Sequence, residues 1–280
     1  MLCLTGIERR VRAVRPGPIR ASLVSVTCFL RAVPLFFSAA PRTPLRVLCI
    51  IALDMLHVLR FAHPLSKQKR NELATFLDFQ ACTNAAWDRK DLCAVEYQAL
   101  RHRLEKAGLR LWLDGYVAQL SELETRRPPI GGDQWRFEEV RLYREAVARL
   151  SLATIAAIAL NAARLEDGIR ATHDDGDVAM LFRMAMQCQI IDDVVDYTKD
   201  LSAALPSFLT ASASLPQALA LTAKAARSYA SSPGPSSRSA VFPLRTALHV
   251  LSAVTTLVGR IAHTVCGVSA VRGLSQPFFR

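Results

Sequence analysis

Apolar residues recur along this chain at helical spacing, and alternating apolar–polar runs are hard to find. The sequence therefore reads as almost wholly helical. The pattern predicts helices over 45–61, 67–89, 94–106, 109–124, 137–165, 178–198, 215–230 and 243–265. Ser66 is placed to cap the second of these, because a serine hydroxyl can accept a bond from a first-turn N–H. Asp54, His57 and Arg60 can share one face of the first helix, where a satisfied polar stripe is expected. The breaks are Arg126-Arg127-Pro128-Pro129-Ile130-Gly131-Gly132-Asp133, a capping loop at His173-Asp174-Asp175-Gly176-Asp177, Pro206, and the Ser/Pro/Gly-rich stretch 231–239. Gly131-Gly132 lacks the strand context of a phosphate loop and reads as a turn. No repeat and no linker divides the set, so one all-α domain is expected over 44–268, with a tail at 269–280.

Residues 1–43 differ. They carry Arg9, Arg10, Arg12, Arg15, Arg20, Arg31 and Arg42 against a single acid, Glu8. The apolar run 21–40 is interrupted by Arg31 and Pro34, which makes it a poor transmembrane span. This basic segment is expected to pack poorly. It can serve as a targeting sequence, a membrane-surface helix or a lead-in to the domain.

The stretch that carries chemistry is Gln187-Cys188-Gln189-Ile190-Ile191-Asp192-Asp193-Val194-Val195-Asp196-Tyr197-Thr198-Lys199-Asp200. Asp192, Asp196 and Asp200 are spaced i, i+4, i+8, which on a helix makes one acidic stripe. Like charges at that spacing destabilise a helix, and the apolar run before them should be buried. Buried carboxylates are costly unless a cation satisfies them. A counterpart stands roughly a hundred residues upstream, where Asn84, Asp88 and Asp91 are spaced i, i+4, i+7 and can offer oxygens from one helix face. Asp78 falls off that face. Magnesium takes oxygen ligands and is commonly held by one or two carboxylates plus substrate phosphates. Two such helices could supply opposite walls of a magnesium–diphosphate site, with Arg89, Lys90 and Lys199 binding phosphate oxygens.

Composition narrows the partners. At 51% hydrophobic residues over 280, a substantial core is available. The net charge of +11 attracts anions, whether nucleic acid, acidic membrane or phosphorylated small molecules. Basic residues are not interleaved with aromatics and zinc-finger spacing is missing, so nucleic acid is not expected as a partner. Seven scattered cysteines form no C-x-x-C, which fits buried thiols in a reducing cytoplasm.

The segment Gln189-Ile190-Ile191-Asp192-Asp193-Val194-Val195-Asp196 resembles the second aspartate-rich motif of class I isoprenoid synthases, and Asn84-x-x-x-Asp88-x-x-Asp91 sits where their first would fall. The stretch 142–151, with Tyr143 and Arg144, resembles the cavity-lining helix of squalene and phytoene synthases. The resemblance spans roughly 45–265 in layout and implies a terpenoid-synthase-type bundle with a central apolar cavity. It implies a magnesium-dependent enzyme, with manganese as the alternative ion, ionising an allylic prenyl diphosphate for coupling or cyclisation, as a monomer or homodimer. The metal ligands would be Asn84, Asp88, Asp91, Asp192, Asp193, Asp196 and Asp200. Arg89, Lys90, Arg144, Gln189 and Lys199 would bind diphosphate, and Asp88, Asp192, Asp196 and Tyr143 would be catalytic. Trp87, Tyr143, Phe182 or Tyr197 could face a carbocation. The first motif departs from an uninterrupted D-D-x-x-D, which leans away from chain-elongating synthases. The competing expectation is a non-catalytic helical protein that binds a lipid or membrane surface.

Overall fold

At three helix starts a side chain satisfies the first free N–H groups. A computed structural model of the chain describes residues 44–89, 91, 94–162, 165–231 and 242–273, with isolated positions between 23 and 37. The helices are α1 (Pro44–Phe61), α2 (Lys67–Arg89), α3 (Val95–Lys106), α4 (Arg110–Thr125) and α5 (Gln134–Ala159). They continue with α6 (Leu165–Asp174), α7 (Gly176–Val195), α8 (Tyr197–Ser202), α9 (Leu215–Ser231) and α10 (Phe242–Gly273). Among the described residues there is no strand. The Ser66 hydroxyl accepts from Lys69 N–H at 3.1 Å, as its position implied. Asp133 caps α5 by accepting from Trp135 and Arg136 N–H. Asp175 caps α7 from the polar loop by accepting from Asp177 and Val178 N–H.

The stretch 137–165 is not one helix. α5 ends at Ala159, the chain turns through Asn161 in the left-handed region (φ 53°), and α6 opens at Leu165. His173 and Asp174 then belong to α6 rather than to the loop. α6 lies close on α5 because Gly168 has no side chain: a Cβ there would meet the Ala153 carbonyl oxygen at 2.3 Å and the Ala157 Cβ at 2.9 Å.

The end of α5 is buried on every face from Leu152 to Ala159. α5 packs against α2, α4, α6 and α7, and α7 in turn against α6, α9 and α10. The two helices are thus the centre of the bundle. Phe76, Phe79 and Tyr116 meet beside them with ring centroids 5.9 to 6.4 Å apart. The polar stripe of α1 is partnered at each residue, although the second Asp54 oxygen accepts no hydrogen bond and only faces Arg31 at 3.6 Å. Asp54 accepts from Leu65 N–H at 2.7 Å, His57 Nδ1 lies 2.8 Å from the His63 carbonyl oxygen, and Arg60 bridges Asp175 and Asp177 at 2.5 and 2.9 Å.

Of the basic segment 1–43, some described positions pack against the body. Cys28 is buried, Val24 lies on the core, and Arg31 donates to the Leu65 carbonyl at 2.8 Å and pairs with Asp54 at 3.6 Å. The loose packing expected there does not hold at these positions. The stretch 232–241, the tail from 274 onward and Lys90 lie outside the described residues. Among the described residues no helix is long and apolar enough to cross a membrane.

Candidate functional site

The acidic stripe survives a break in its helix. α7 ends at Val195 and Asp196 serves as its C-cap, so the helix expected over 178–198 is two pieces. Asp196 N–H nevertheless donates to the Asp192 carbonyl (2.8 Å), and Asp200 N–H to the Asp196 carbonyl (2.9 Å). These i→i+4 bonds keep the three residues in one row. Asp192 is exposed at its outer edge. Loss of water on its inner side, and then the charge of Asp196, raise its carboxyl above the ordinary value. Burial chiefly raises Asp200 as well, against the pull of Arg144.

Asp193 behaves differently from its neighbour. One residue on from Asp192 is 100° around the helix, and this turn takes Asp193 inward to 1% exposure. One carboxylate oxygen pairs with the Arg144 guanidinium, and the other accepts from Phe208 N–H at 2.7 Å. Burial still pushes its pKa up to about 6. Phe208 belongs to a connection, 206–212, that is buried throughout. Buried backbone must find partners. Here the Ser207 and Thr210 side chains supply several, Gly131 N–H donates to the Thr210 carbonyl (2.8 Å), and Ala213 N–H donates to the Gly132 carbonyl (2.9 Å). Gly131 and Gly132 sit at φ 74° and 125°, a backbone that side chains resist.

The first acidic segment reaches the same region through α4 and α5. Asp88, at the end of α2, pairs with Arg127 at 2.9 Å. Arg127 also holds Glu124 at 2.5 Å, and the Tyr143 hydroxyl donates to Glu124 at 2.7 Å. Tyr143 and Arg144 are consecutive on α5, so one turns toward α4 and the other toward α7. The result is a connected series: Asp88, Arg127, Glu124, Tyr143, then Arg144 and Asp193. Burial and the bond to Glu124 raise the Tyr143 pKa and keep it a neutral donor.

Several site expectations are corrected by this geometry. Asp91 is off the helix face, because α2 ends at Arg89 and Asp91 N–H turns back to the Ala86 carbonyl (2.8 Å). Among the described residues, no group of three or more His, Cys, Asp and Glu gathers at metal-binding range. The expected single set of Asn84, Asp88, Asp91, Asp192, Asp193, Asp196 and Asp200 is therefore not assembled, since α5 stands between its two halves. Asp193 has both oxygens engaged and is not free to ligate. Arg144 is committed to Asp193, and Lys199 pairs with Asp196 at 3.0 Å. The side chain of Arg89 and the whole of Lys90 lie outside the described residues. Phe182 is buried with the Arg149 guanidinium over its ring at 3.9 Å, so that face is taken. Tyr197 packs against the small cluster of Leu209, Ala218 and Leu219.

Two other expected residues point to a missing partner. Asn84 Oδ1 and Gln189 Oε1 are buried and accept no hydrogen bond. Buried polar atoms in folded chains are almost always paired, so each such atom calls for a donor or a cation. Trp87 Nε1, three residues from Asn84, is also buried and unpaired.

A cleft of about 450 Å³ opens elsewhere, between α2 and α3, lined by Lys67, Asn71, Glu72, Thr75 and Arg103. It includes none of the acidic-segment residues.

No family model, no curated protein and no solved structure matches this chain. The all-α class is what the coordinates establish.

Proposed function

We propose that this chain is a magnesium-dependent enzyme acting on an allylic prenyl diphosphate, a reading that extends to a terpenoid-synthase-type architecture. The observation that carries it is the connected series from Asp88 to Asp193, which ties both acidic segments to adjacent residues near the middle of α5. The donor set fits a hard divalent ion in part. Asp192, Asp196 and Asp200 form a row of oxygens, and Asp192 and Asp200 are raised by burial and like charge, which a bound cation relieves. The unpaired Gln189 oxygen, about one turn before Asp192 on the same helix, adds an acceptor of the same class.

Asp192 and Asp196 would hold the ion together with the substrate's own phosphate oxygens, because the three carboxylates of the row do not by themselves gather at metal-binding range. Bound magnesium would stabilise the charge that develops on a leaving diphosphate. Asp193 would not ligate; it fixes Arg144 and the 206–212 connection behind the row. Arg144 is half-buried with its guanidinium held by Asp193, and Tyr143 keeps a proton on its oxygen. Lys199, exposed at the outer edge, would swing from Asp196 to a phosphate oxygen.

The test is diphosphate release from geranyl, farnesyl and geranylgeranyl diphosphates, with and without magnesium. Release that needs magnesium and disappears in Asp192→Ala/Asp196→Ala is the expected result. No release from any chain length would overturn the proposal.

A further inference from the structure

The charges of this chain are unevenly distributed along it. Asp200 is the last acid, and residues 201–280 hold seven Lys or Arg with no Asp or Glu. The helix that dominates this stretch, α10, shows an apolar face without a partner among the described residues. Val250, Val254, Leu257 and Ile261 are 60, 42, 57 and 55% exposed. Their 4-3-4 spacing, at 100° per residue, confines them to an arc of about 60°. The opposite face is inward, with Leu248 and Thr255 buried and Ser252 contacting Gln187 at 3.3 Å. One flank of the stripe carries the exposed His249 and Arg260; the other runs through half-buried Leu251 and Val258 into the core.

Exposed apolar residues scattered singly need no partner, but four in one stripe do. The spacing alone also suits a second helix. Charge decides between the two. A second copy would set Arg260 and a flank without acids against themselves, with nothing to compensate. An apolar stripe edged by Arg260, on a chain of net charge +11, fits an interface whose outer layer is anionic and whose interior is apolar. α10 is not apolar enough to cross a bilayer, so it would lie along one.

We propose that the exposed face of α10 docks the protein on an anionic lipid surface, the four aliphatic side chains entering the acyl boundary and Arg260 meeting the lipid phosphates. This inference does not rest on the proposed chemistry and stands or falls apart from it.

The test is co-flotation of the full chain with vesicles of pure phosphatidylcholine and of phosphatidylcholine containing phosphatidylglycerol. Partitioning is expected to favour the anionic vesicles by about tenfold or more and to weaken in high salt. Val254→Glu/Leu257→Glu should lower it by at least about tenfold, with the circular dichroism spectrum and melting curve kept. Arg260→Glu, a single exposed change, should cut the anionic preference severalfold and serves if the double variant does not fold. Equal or absent binding to both vesicle types would overturn the proposal. So would a dimer in sedimentation equilibrium that the double variant dissociates, since the face would then belong to a second copy.

Discussion

Asp192 and Asp193 are adjacent, and the structure assigns them opposite sensitivities. Replacing Asp193 with Ala leaves the Arg144 guanidinium without its counter-ion and Phe208 N–H without an acceptor. Breaking a buried pair from one side costs about 3–5 kcal/mol, and an orphaned N–H about 1–3. These terms overlap, and the Arg144 side chain keeps 24% exposure, so water reaches part of it. The expected loss is about 4 kcal/mol, a drop of about 10 °C in melting temperature for a chain of this size. Asp192→Ala removes an exposed carboxylate already disfavoured by Asp196, and its stability should stay within about 0.5 kcal/mol of the parent. Urea denaturation followed by circular dichroism reads both. A third variant, Asp193→Ala/Arg144→Met, removes both charges and should recover much of the loss, because paired removal leaves no uncompensated ion. If Asp193→Ala cost under 1 kcal/mol, or Asp192→Ala as much as its neighbour, the inward–outward division of the two carboxylates would be wrong.

Further predictions follow from other contacts. Gly168→Ala places a methyl against the Ala153 carbonyl and should destabilise by about 2 kcal/mol or more, read in the same denaturation assay. Burial acts to raise the Asp175 pKa, but Arg60 and the N–H groups of Val178 and Asp177 outweigh it and hold the carboxyl below its ordinary value. A lowered folded pKa means stability that is present above an unfolded pKa of about 3.9 and lost as pH falls through the folded one. Asp175→Ala should therefore cost about 1–2 kcal/mol near neutrality, with the gap to the parent narrowing below about pH 4. Cys28 and Cys49, each pushed up to about 12 mainly by burial, should react with a thiol reagent at neutral pH only after unfolding. Magnesium should raise the melting temperature of the parent but not of Asp192→Ala/Asp196→Ala, measured in matched salt.

What could be read in advance was what depends on near neighbours in sequence. Ser66 and a cap from within 173–177, supplied by Asp175, were legible because capping reaches only two or three residues along the chain. The row of Asp192, Asp196 and Asp200 was legible for the same reason. The α2 boundary was met too, yet one residue of consequence was misplaced. With the helix ending at Arg89, Asp91 leaves the face that its spacing implied. Arg127 and Glu124 went unnoticed because their importance comes from Asp88 and Tyr143, which are distant in sequence. Pro206 marked a break, but nothing local says that 206–212 is buried; that follows from Asp193, Gly131 and Gly132 meeting it. One signal was available. An acid directly after an outward-facing acid, within an apolar helix, has to turn inward and find a cation, which pointed to an unseen arginine.

The short helix α8 has no buried residue of its own. Asp192 is anchored by the body of α7, whereas Asp200 rides on a turn joined to it through the Asp196 cap. What ties α8 down is Tyr197, packed against Leu209, Ala218 and Leu219, and Leu205 N–H, which donates to the Asp200 carbonyl at 2.9 Å. The far tip of the row therefore depends on the 205–219 stretch, and a substitution that loosens that stretch would displace Asp200 before Asp192.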